Sequence, residues 1–490
     1  MGRIRARWLI TLTVALALVA ALIPAFLVVR SALASGVSIA LSPTSGVVGA
    51  TVRVSGTGYK RKEGVTITFD SATVASGATD NNGAFSASFV VPWSASVGSH
   101  MVEATGVKSH LTASATFQVT PVVNPGDWPQ FSYGPQGGRD NIVETTLSAS
   151  NAAQLTQDWS VNARGNVASV AVVSGVVYAD DGMGVLAINA ATGAQLWANS
   201  TMGGGGTESS GQAPAVANGI VYANGGDNQV YAFNAQTGAT LWTYNPHSGL
   251  DSLPTVANGI VYIAADNGVI SALNATTGAL VWSYLASANY ELRQTPAVAN
   301  GAVYFVTQDG VAYALDATTG VPLWVASIGI YGPESAPAYD NGVVYMLAAT
   351  DGSPSQGEII AMDAATGATK WIALTPSIDM EGVTLADGNI YVSIVGSSYG
   401  VYAFDEATGA FKWNDPLAIG NSTPAAANGV VYVGAGTSYA YALDATTGAT
   451  LATLGSCGIQ PYTSPVVAAG VVYTGCATSL VAYHLPGTTP

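Results

Sequence analysis

From residue 154 to residue 485 the chain repeats one pattern of apolar and polar positions. An apolar run led by Pro is followed by Asn-Gly or a close relative. A second apolar run carries a central Tyr, and a polar turn leads to a third. Asn or Asp with a following Thr-Gly then turns into a last run that ends near a Trp. The central tyrosines are Tyr178, Tyr222, Tyr262, Tyr304, Tyr345, Tyr391, Tyr432 and Tyr473, spaced by 44, 40, 42, 41, 46, 41 and 41 residues. Residues 254–285 show how one unit is built. Pro254 lacks a backbone donor and suits the first position of a strand. Asn258-Gly259 supplies the positive φ angles of a tight hairpin. Ile260-Val-Tyr-Ile-Ala and Val269-Ile-Ser-Ala-Leu are apolar on both faces, as strands buried on both sides are. Asn274 can bond the amides of its own turn, which makes it a turn residue rather than a reactive one. Four short strands per period of about 40 residues predict a β-propeller.

The eighth copy stops after its third strand, near Ala482-Tyr483, and an orphan outer strand, Leu155-Thr-Gln-Asp-Trp159, stands in front of the first copy. That strand is expected to complete the last blade and close an eight-bladed ring over residues 154–485, removing open sheet edges. Upstream, residues 37–120 alternate apolar and polar in about seven short runs, among them Val65-Thr-Ile-Thr-Phe and Phe85-Ser-Ala-Ser-Phe. They predict an Ig-like antiparallel sandwich acting as a spacer. The fold class is therefore all-β. Residues 121–153, with Pro121, Pro125, Pro129 and Pro135, read as a Pro/Gly-rich linker whose Trp128 and Phe131 pack on the propeller.

Charged residues make up only 9% of the chain. Residues 1–124 hold nine Lys/Arg and four Asp/Glu, a net of +5, whereas residues 125–490 hold five and twenty-five, a net of −20. An acidic propeller argues against nucleic acid and anionic membrane surfaces, and leaves cell-surface proteins, saccharides or cations as partners. Arg3, Arg5 and Arg7 precede the uncharged run Trp8–Val29, with Ala32-Leu33-Ala34 after it. Residues 1–34 read as a signal peptide or signal anchor, which places the remainder outside the cytoplasm: secreted, or on the extracellular face of the membrane. In that compartment Cys457 and Cys476 are expected to pair. The chain is expected to be a monomer.

The repeat Ala-x-Asp/Asn-x-x-Thr-Gly-x-x-x-Trp resembles the tryptophan-docking motif of pyrroloquinoline quinone (PQQ)-like repeat propellers of bacteria. It ends at Trp197, Trp242, Trp282, Trp324, Trp371 and Trp413, and Trp159 joins them from the orphan strand. The resemblance implies a girdle in which each Trp packs on the neighbouring blade. In the seventh copy Ala452 stands where Trp belongs. Ser42-Pro43-Thr44-Ser45-Gly46 with Gly56-Thr57-Gly58-Tyr59 resembles bacterial Ig-like modules of the IPT/TIG type.

Candidate function sits where the repeat is broken. Eleven positions before each repeat tyrosine come Val167, Gly211, Asp251, Arg293, Glu334, Met380, Asn421 and Tyr462, at the mouths of the inner strands. Arg164, Glu208, Glu291, Asp379 and Glu381 lie within three positions of that ring. The turn acids Asp180, Asp181, Asp227, Asp266, Asp309 and Asp351 fall on the same face. Irregular charged positions on a regular scaffold suit a binding face. Clustered carboxylates favour a hard cation such as Ca²⁺. The resemblance also implies a PQQ- and Ca-dependent dehydrogenase as an alternative, with Asp251 or Asp379 as base and Arg293 or Arg164 facing the cofactor's carboxylates. Against it, the propeller tryptophans are committed to outer strands, Cys457 and Cys476 are not adjacent, and no Cys-x-x-Cys-His occurs. A third reading is an envelope-assembly scaffold, as in the lipoprotein propellers of this repeat class; no lipid-anchor Cys follows the apolar run.

Overall fold

A computed structural model describes residues 36–488 except 47–50, 93–94, 96–97, 120–125, 201, 203–209, 330–335, 350–355, 396–398, 417–421, 436–438, 456–462 and 477. The described residues form two compact units. In the first, Ser38–Ser42, Thr51–Thr57 and Phe85–Val90 make one three-stranded sheet, the first two strands antiparallel. The longer strands of the second sheet follow the order Thr112–Val119, Gly98–Gly106, Gly64–Phe69, Ala72–Ala78. The alternation seen in the sequence becomes the core: Val52, Val54, Ile67, Phe69, Val102 and Phe117 are buried.

The second unit holds eight four-stranded sheets, each a simple meander. Blades 1 to 8 are numbered here by their inner strands, Val170–Val173, Ala215–Ala217, Thr255–Ala257, Ala297–Ala299, Ala338–Asp340, Met380–Ala386, Ala425–Ala427 and Val466–Ala468. Blade 8 takes its outer strand from Thr156–Asn162, which pairs antiparallel with Ser479–His484, as the orphan strand predicts. Asn258 and Gly259 have φ of 52° and 77°, the hairpin geometry expected of them. Asn274 Oδ1 accepts from the Thr276 and Thr277 amides at 3.1 and 2.9 Å and from Thr277 Oγ1 at 3.0 Å. Its role is turn formation.

The girdle has a specific geometry. Trp197 Nε1 donates to Ala235 O of the next blade at 2.9 Å, and Tyr178 Oη donates to the same carbonyl at 3.2 Å. Trp242 and Tyr222 share Ala275 O, and Trp282 and Tyr262 share Ala317 O, in the same way. Each indole lies on the glycine of the next blade's Thr-Gly turn. A Cβ on Gly278, whose φ is +70°, would come within 2.6 Å of the Trp242 ring, so close approach and backbone conformation both select glycine there. Blade 8 has no such turn, because its outer strand, Thr156–Asn162, does not follow its third strand, Ser479–His484, along the chain. This accounts for Ala452: no turn is there to receive an indole. Ala452 instead packs against the cluster containing Leu147, Ala152 and Leu155. The same missing turn leaves Tyr432 Oη buried with no partner among the described residues.

The stretch read as a linker is more ordered than its proline and glycine content suggests. Between Trp128 and Glu144 it runs as a strap around one end of the ring and bonds to the inner strands in blade order. Trp128 N and O pair with Val172 O and N at 2.6 and 2.7 Å. Pro129 O accepts from Val216 N, Gln130 Oε1 from Val256 N, and Pro135 O from Val298 N. Gln136 O accepts from Tyr339 N, Gly138 O from Leu385 N, and Arg139 O from Ala426 N. Asn141 Nδ2 reaches Val467 O at 2.8 Å, and Gly470 N donates to Glu144 Oε2 at 2.8 Å. Val172, Val216, Val256, Val298, Tyr339, Leu385, Ala426 and Val467 occupy one equivalent position, each opposite the second-strand residue before the repeat tyrosine. An inner strand has a free edge toward the axis, and buried backbone groups there need partners. The strap supplies one per blade. Proline is at home in it because Pro129 and Pro135 serve only as acceptors. Trp128 is fully buried, as the sequence reading expects.

Candidate functional site

The strap lies at the mouth that carries the Asn-Gly hairpins: Asn218, Asn258 and Asn300 line the same cavity, of about 1030 Å³, as strap residues Pro135, Gln136 and Gly138. Strand direction alternates in a meander. The turns between second and third strands, and the connections between blades, therefore occupy the other mouth. That is where the sequence places the irregular charged positions.

The structure brings four of them together at blades 3 and 4. Arg293 Nε lies 2.6 Å from Glu291 Oε2 and 3.3 Å from Asp251 Oδ2. Asp266, from the turn of blade 3, sits beside this group with its backbone amide on Gly249 O at 3.1 Å. Burial pushes the Asp266 carboxyl up to about 6, with the Asp251 and Glu291 charges adding to the shift and Arg293 opposing it. Its Oδ1 is closed off from solvent with no hydrogen-bond partner among the described residues. The group thus offers two acids paired with a guanidinium, and beside them a carboxyl that keeps its proton into weak acid.

A second group lies at blade 1. Asp181 is buried and takes Arg164 in a fork, Nε to Oδ2 at 2.8 Å and Nη2 to Oδ1 at 3.0 Å. Asp180 next to it is also buried, and burial pushes its carboxyl up to about 7, with Asp181 adding to the shift. Asp227 is tied locally, accepting from Tyr231 Oη at 2.7 Å. Asp379 is exposed, and its amide donates to Ser377 Oγ at 3.2 Å. Glu381 sits on the inner strand Met380–Ala386. Glu208, Glu334, Asp351, Asn421, Tyr462 and Cys457 lie outside the described residues, and Cys476 ends the strand Val471–Cys476. Sequence reasoning found Asp251, Asp266, Glu291 and Arg293 one by one, because each departs from the repeat. Their association across two blades has no signal along the chain.

Residues 139–373, 226–454 and 355–485 match the PQQ-repeat family described as outer membrane protein assembly factor BamB. The chain belongs to this family. Residues 34–119 match a macroglobulin-like domain, an Ig-type sandwich. BamB from Moraxella catarrhalis superposes with a TM-score of 0.54 at 20% identity, over 69% of this chain and 100% of that one. Quinohemoprotein alcohol dehydrogenase ADHIIG from Pseudomonas putida HK5 superposes at 0.60 and 15% identity, over 75% and 81%. Both show the fold alone. The tetrathionate hydrolase of Acidithiobacillus ferrooxidans is 31% identical over 176 residues, 31% of this chain. The chain spans about a third of that curated relative's length, 34%.

The quinoprotein neighbours pose the question of whether these residues fit PQQ with Ca²⁺. Six of the seven propeller tryptophans, Trp159, Trp197, Trp242, Trp282, Trp324 and Trp413, donate to carbonyls of the next blade, and Trp371 lies on Gly409. None is left as a platform at the open mouth, and Trp128 is buried in the strap. Arg164 and Arg293 are taken up by acids of the protein. Among the described residues no three His, Cys, Asp or Glu are arranged to hold a metal ion. Among the described residues the donor set does not fit the group.

Proposed function

We propose that this is an extracytoplasmic, non-catalytic interaction protein at the cell surface, whose open mouth contacts a basic segment of a cell-envelope protein. The observation that carries the reading is the Asp251–Arg293–Glu291 group with Asp266 beside it: charged residues that break the repeat, gathered on the mouth that the strap leaves free. Membership of a family described by an outer-membrane assembly factor supports an envelope setting. Residues 1–34, proposed as signal peptide or anchor, lie outside the described residues; among those described, no helix is long and apolar enough to cross a membrane. The family description also favours a second reading, an envelope-assembly scaffold, in which the partner is one component of a larger complex rather than a soluble ligand.

The test is charge reversal. Asp251 and Glu291 have side chains 52% and 39% exposed, so Asp251→Lys with Glu291→Lys leaves the melting temperature nearly unchanged. Salt-sensitive binding to a partner captured from envelope fractions falls about tenfold or more. Unchanged binding by the double variant removes the mouth as the contact. A partner that arrives as part of a membrane complex selects the scaffold. PQQ found by mass spectrometry on the purified protein, with dye-linked oxidation of an alcohol, replaces both readings with a dehydrogenase.

The same compartment leads us to propose a Cys457–Cys476 disulfide. It closes a loop of roughly 20 residues and contributes about 3 kcal/mol. Intact-mass measurement of protein secreted under native conditions gives a chain that takes up alkylating reagent only after reduction. Two thiols alkylated without reduction disprove the pairing.

A further inference from the structure

The Ig-type unit carries its charge unevenly. Residues 36–119 hold five Lys/Arg and four Asp/Glu. Four of the five basic residues, Lys60, Arg61, Lys62 and Lys108, stand on two loops at one end of the sandwich, residues 58–63 and 107–111. Glu63 fixes those loops side by side. Its buried carboxylate accepts from the Lys60 amide at 2.7 Å, from the Lys108 and Ser109 amides at 3.1 and 2.9 Å, and from Ser109 Oγ at 2.8 Å. A carboxylate spent on backbone amides pins the loops without pairing with a basic side chain. All four basic side chains are exposed, and so are Val107 and Leu111 beside Lys108, at 55% and 44%.

Little within the unit answers this charge. Among the described residues no acid forms an ion pair with Lys60, Arg61, Lys62 or Lys108. Asp80 lies at this end, its carbonyl 3.3 Å from Lys62 N, but its Oδ1 is taken by the Asn82 and Ala84 amides at 2.7 and 2.9 Å. Asp70 belongs to the other end of strand Gly64–Phe69, where it holds His100 Nδ1, and Glu103 lies opposite Thr68 near that end. The chain enters the sandwich at the basic end. Ser38 pairs with Thr57, and a Cβ on Gly58 would come within 3.0 Å of Gly36 O. Gly36 is seven positions after Val29, where the apolar run Trp8–Val29 ends, a reach of at most about 25 Å.

We propose that this end of the Ig-type unit seats on the anionic lipid headgroups of the membrane in which residues 1–34 are anchored, so that the unit is held by a basic tip as well as by its tether. A negatively charged bilayer attracts Lys and Arg within a Debye length, about 10 Å, and each adds about fivefold to binding. Val107 and Leu111 stand among those charges, where apolar side chains enter the boundary of headgroups and acyl chains. A single apolar tether joined to a basic patch seats a protein more firmly than either does alone. Residues 125–490, at a net of −20, offer the same surface no attraction, so the tip is what it selects. The inference rests on the anchor form of residues 1–34 and is independent of the contact at the open mouth.

The chain has five lysines, three at the tip and Lys370 and Lys412 on the propeller, so acetylation by a water-soluble reagent reads the tip against an internal reference. The full chain is reconstituted into vesicles of phosphatidylcholine, alone or with about one third phosphatidylglycerol. Labelling of Lys60, Lys62 and Lys108 relative to Lys370 and Lys412 falls about fivefold or more on the anionic vesicles, and about 0.5 M salt restores it. Arg61→Glu with Lys62→Glu changes two exposed side chains and keeps the fold; in this variant Lys60 and Lys108 label equally on both vesicles, while binding at the open mouth is unchanged. Equal labelling of the natural tip on both vesicles overturns the proposal. So does tip protection that appears without vesicles and grows with protein concentration, the mark of a tip that meets the acids of a second copy. An intact mass lacking residues 1–34 overturns it as well, because no tether then holds the tip at a membrane.

Discussion

A chain that begins at residue 163 does not form a cooperative ring. It lacks Thr156–Asn162, so Ser479–His484 becomes an open edge and blade 8 has three strands. It also lacks Trp159, whose indole donates to Ala190 O at 2.9 Å and covers Gly193 of blade 1. In a ring whose blades touch only their neighbours, one missing contact leaves two exposed faces, and the loss is of the order of the whole stability, about 5–15 kcal/mol. A chain beginning at residue 148 separates closure from the strap. It retains the closing strand and loses every strap bond. Water can take over the inner-strand groups that the strap satisfied, so this chain should fold into the same sheets and melt below the full chain. Circular dichroism and denaturant melts of the two truncations against the full chain give this order. Full stability in the chain from 163 rules out ring closure as the source of cooperativity.

Replacing Arg139 with Ala is expected to be the most damaging single substitution in the strap. The side chain is 1% exposed. Nε donates to Pro424 O at 2.8 Å, Nη2 to Pro465 O at 2.6 Å, and Nη1 to Phe131 O. The guanidinium also lies over the Phe131 and Trp128 rings, 4.4 and 5.4 Å from their centroids. Burial works against its charge, and the carbonyls offset this. Pro424 and Pro465 precede the inner strands of blades 7 and 8, so one side chain ties the strap to both blades where the ring closes. Alanine removes the guanidinium donor from the Pro465 and Phe131 carbonyls, leaves Pro424 O with Thr384 Oγ1 alone, and opens a cavity between two aromatic rings. A loss of about 3 kcal/mol or more follows, read as a lower denaturant midpoint at unchanged slope. Lysine recovers only part of it, because a point charge cannot reach three separated acceptors at once. An Arg139→Ala protein as stable as the natural one shows that the strap is not anchored there.

The repeat made most of the propeller legible. Period, Asn-Gly hairpins, Thr-Gly turns and indoles at fixed spacing all express local rules, and the girdle follows because each blade meets the next in the same way. The orphan strand around Trp159 was legible for the same reason, as a fragment whose missing partner sits at the other end of the chain. The strap was not. Its residues carry no strand periodicity, and its prolines and glycines signal an absence of regular structure. It is ordered because eight inner strands present a free edge to the axis, a property of the closed ring and of no segment alone.

The candidate site divides similarly. Asp251, Asp266, Glu291 and Arg293 stand out one by one because they interrupt a regular pattern, and the sequence alone determined that they lie at one mouth. By itself the sequence determined an all-β chain of a sandwich and a ring, the docking girdle, the closing strand and the face on which the irregular charges fall. Only the tertiary structure decided that Arg293 bridges Asp251 and Glu291 and that the other mouth is strapped. Hairpins, turns and blade-to-blade docking are set by residues near one another in the repeat. Contacts across the axis depend on where the ring brings distant segments, and nothing along the chain records that.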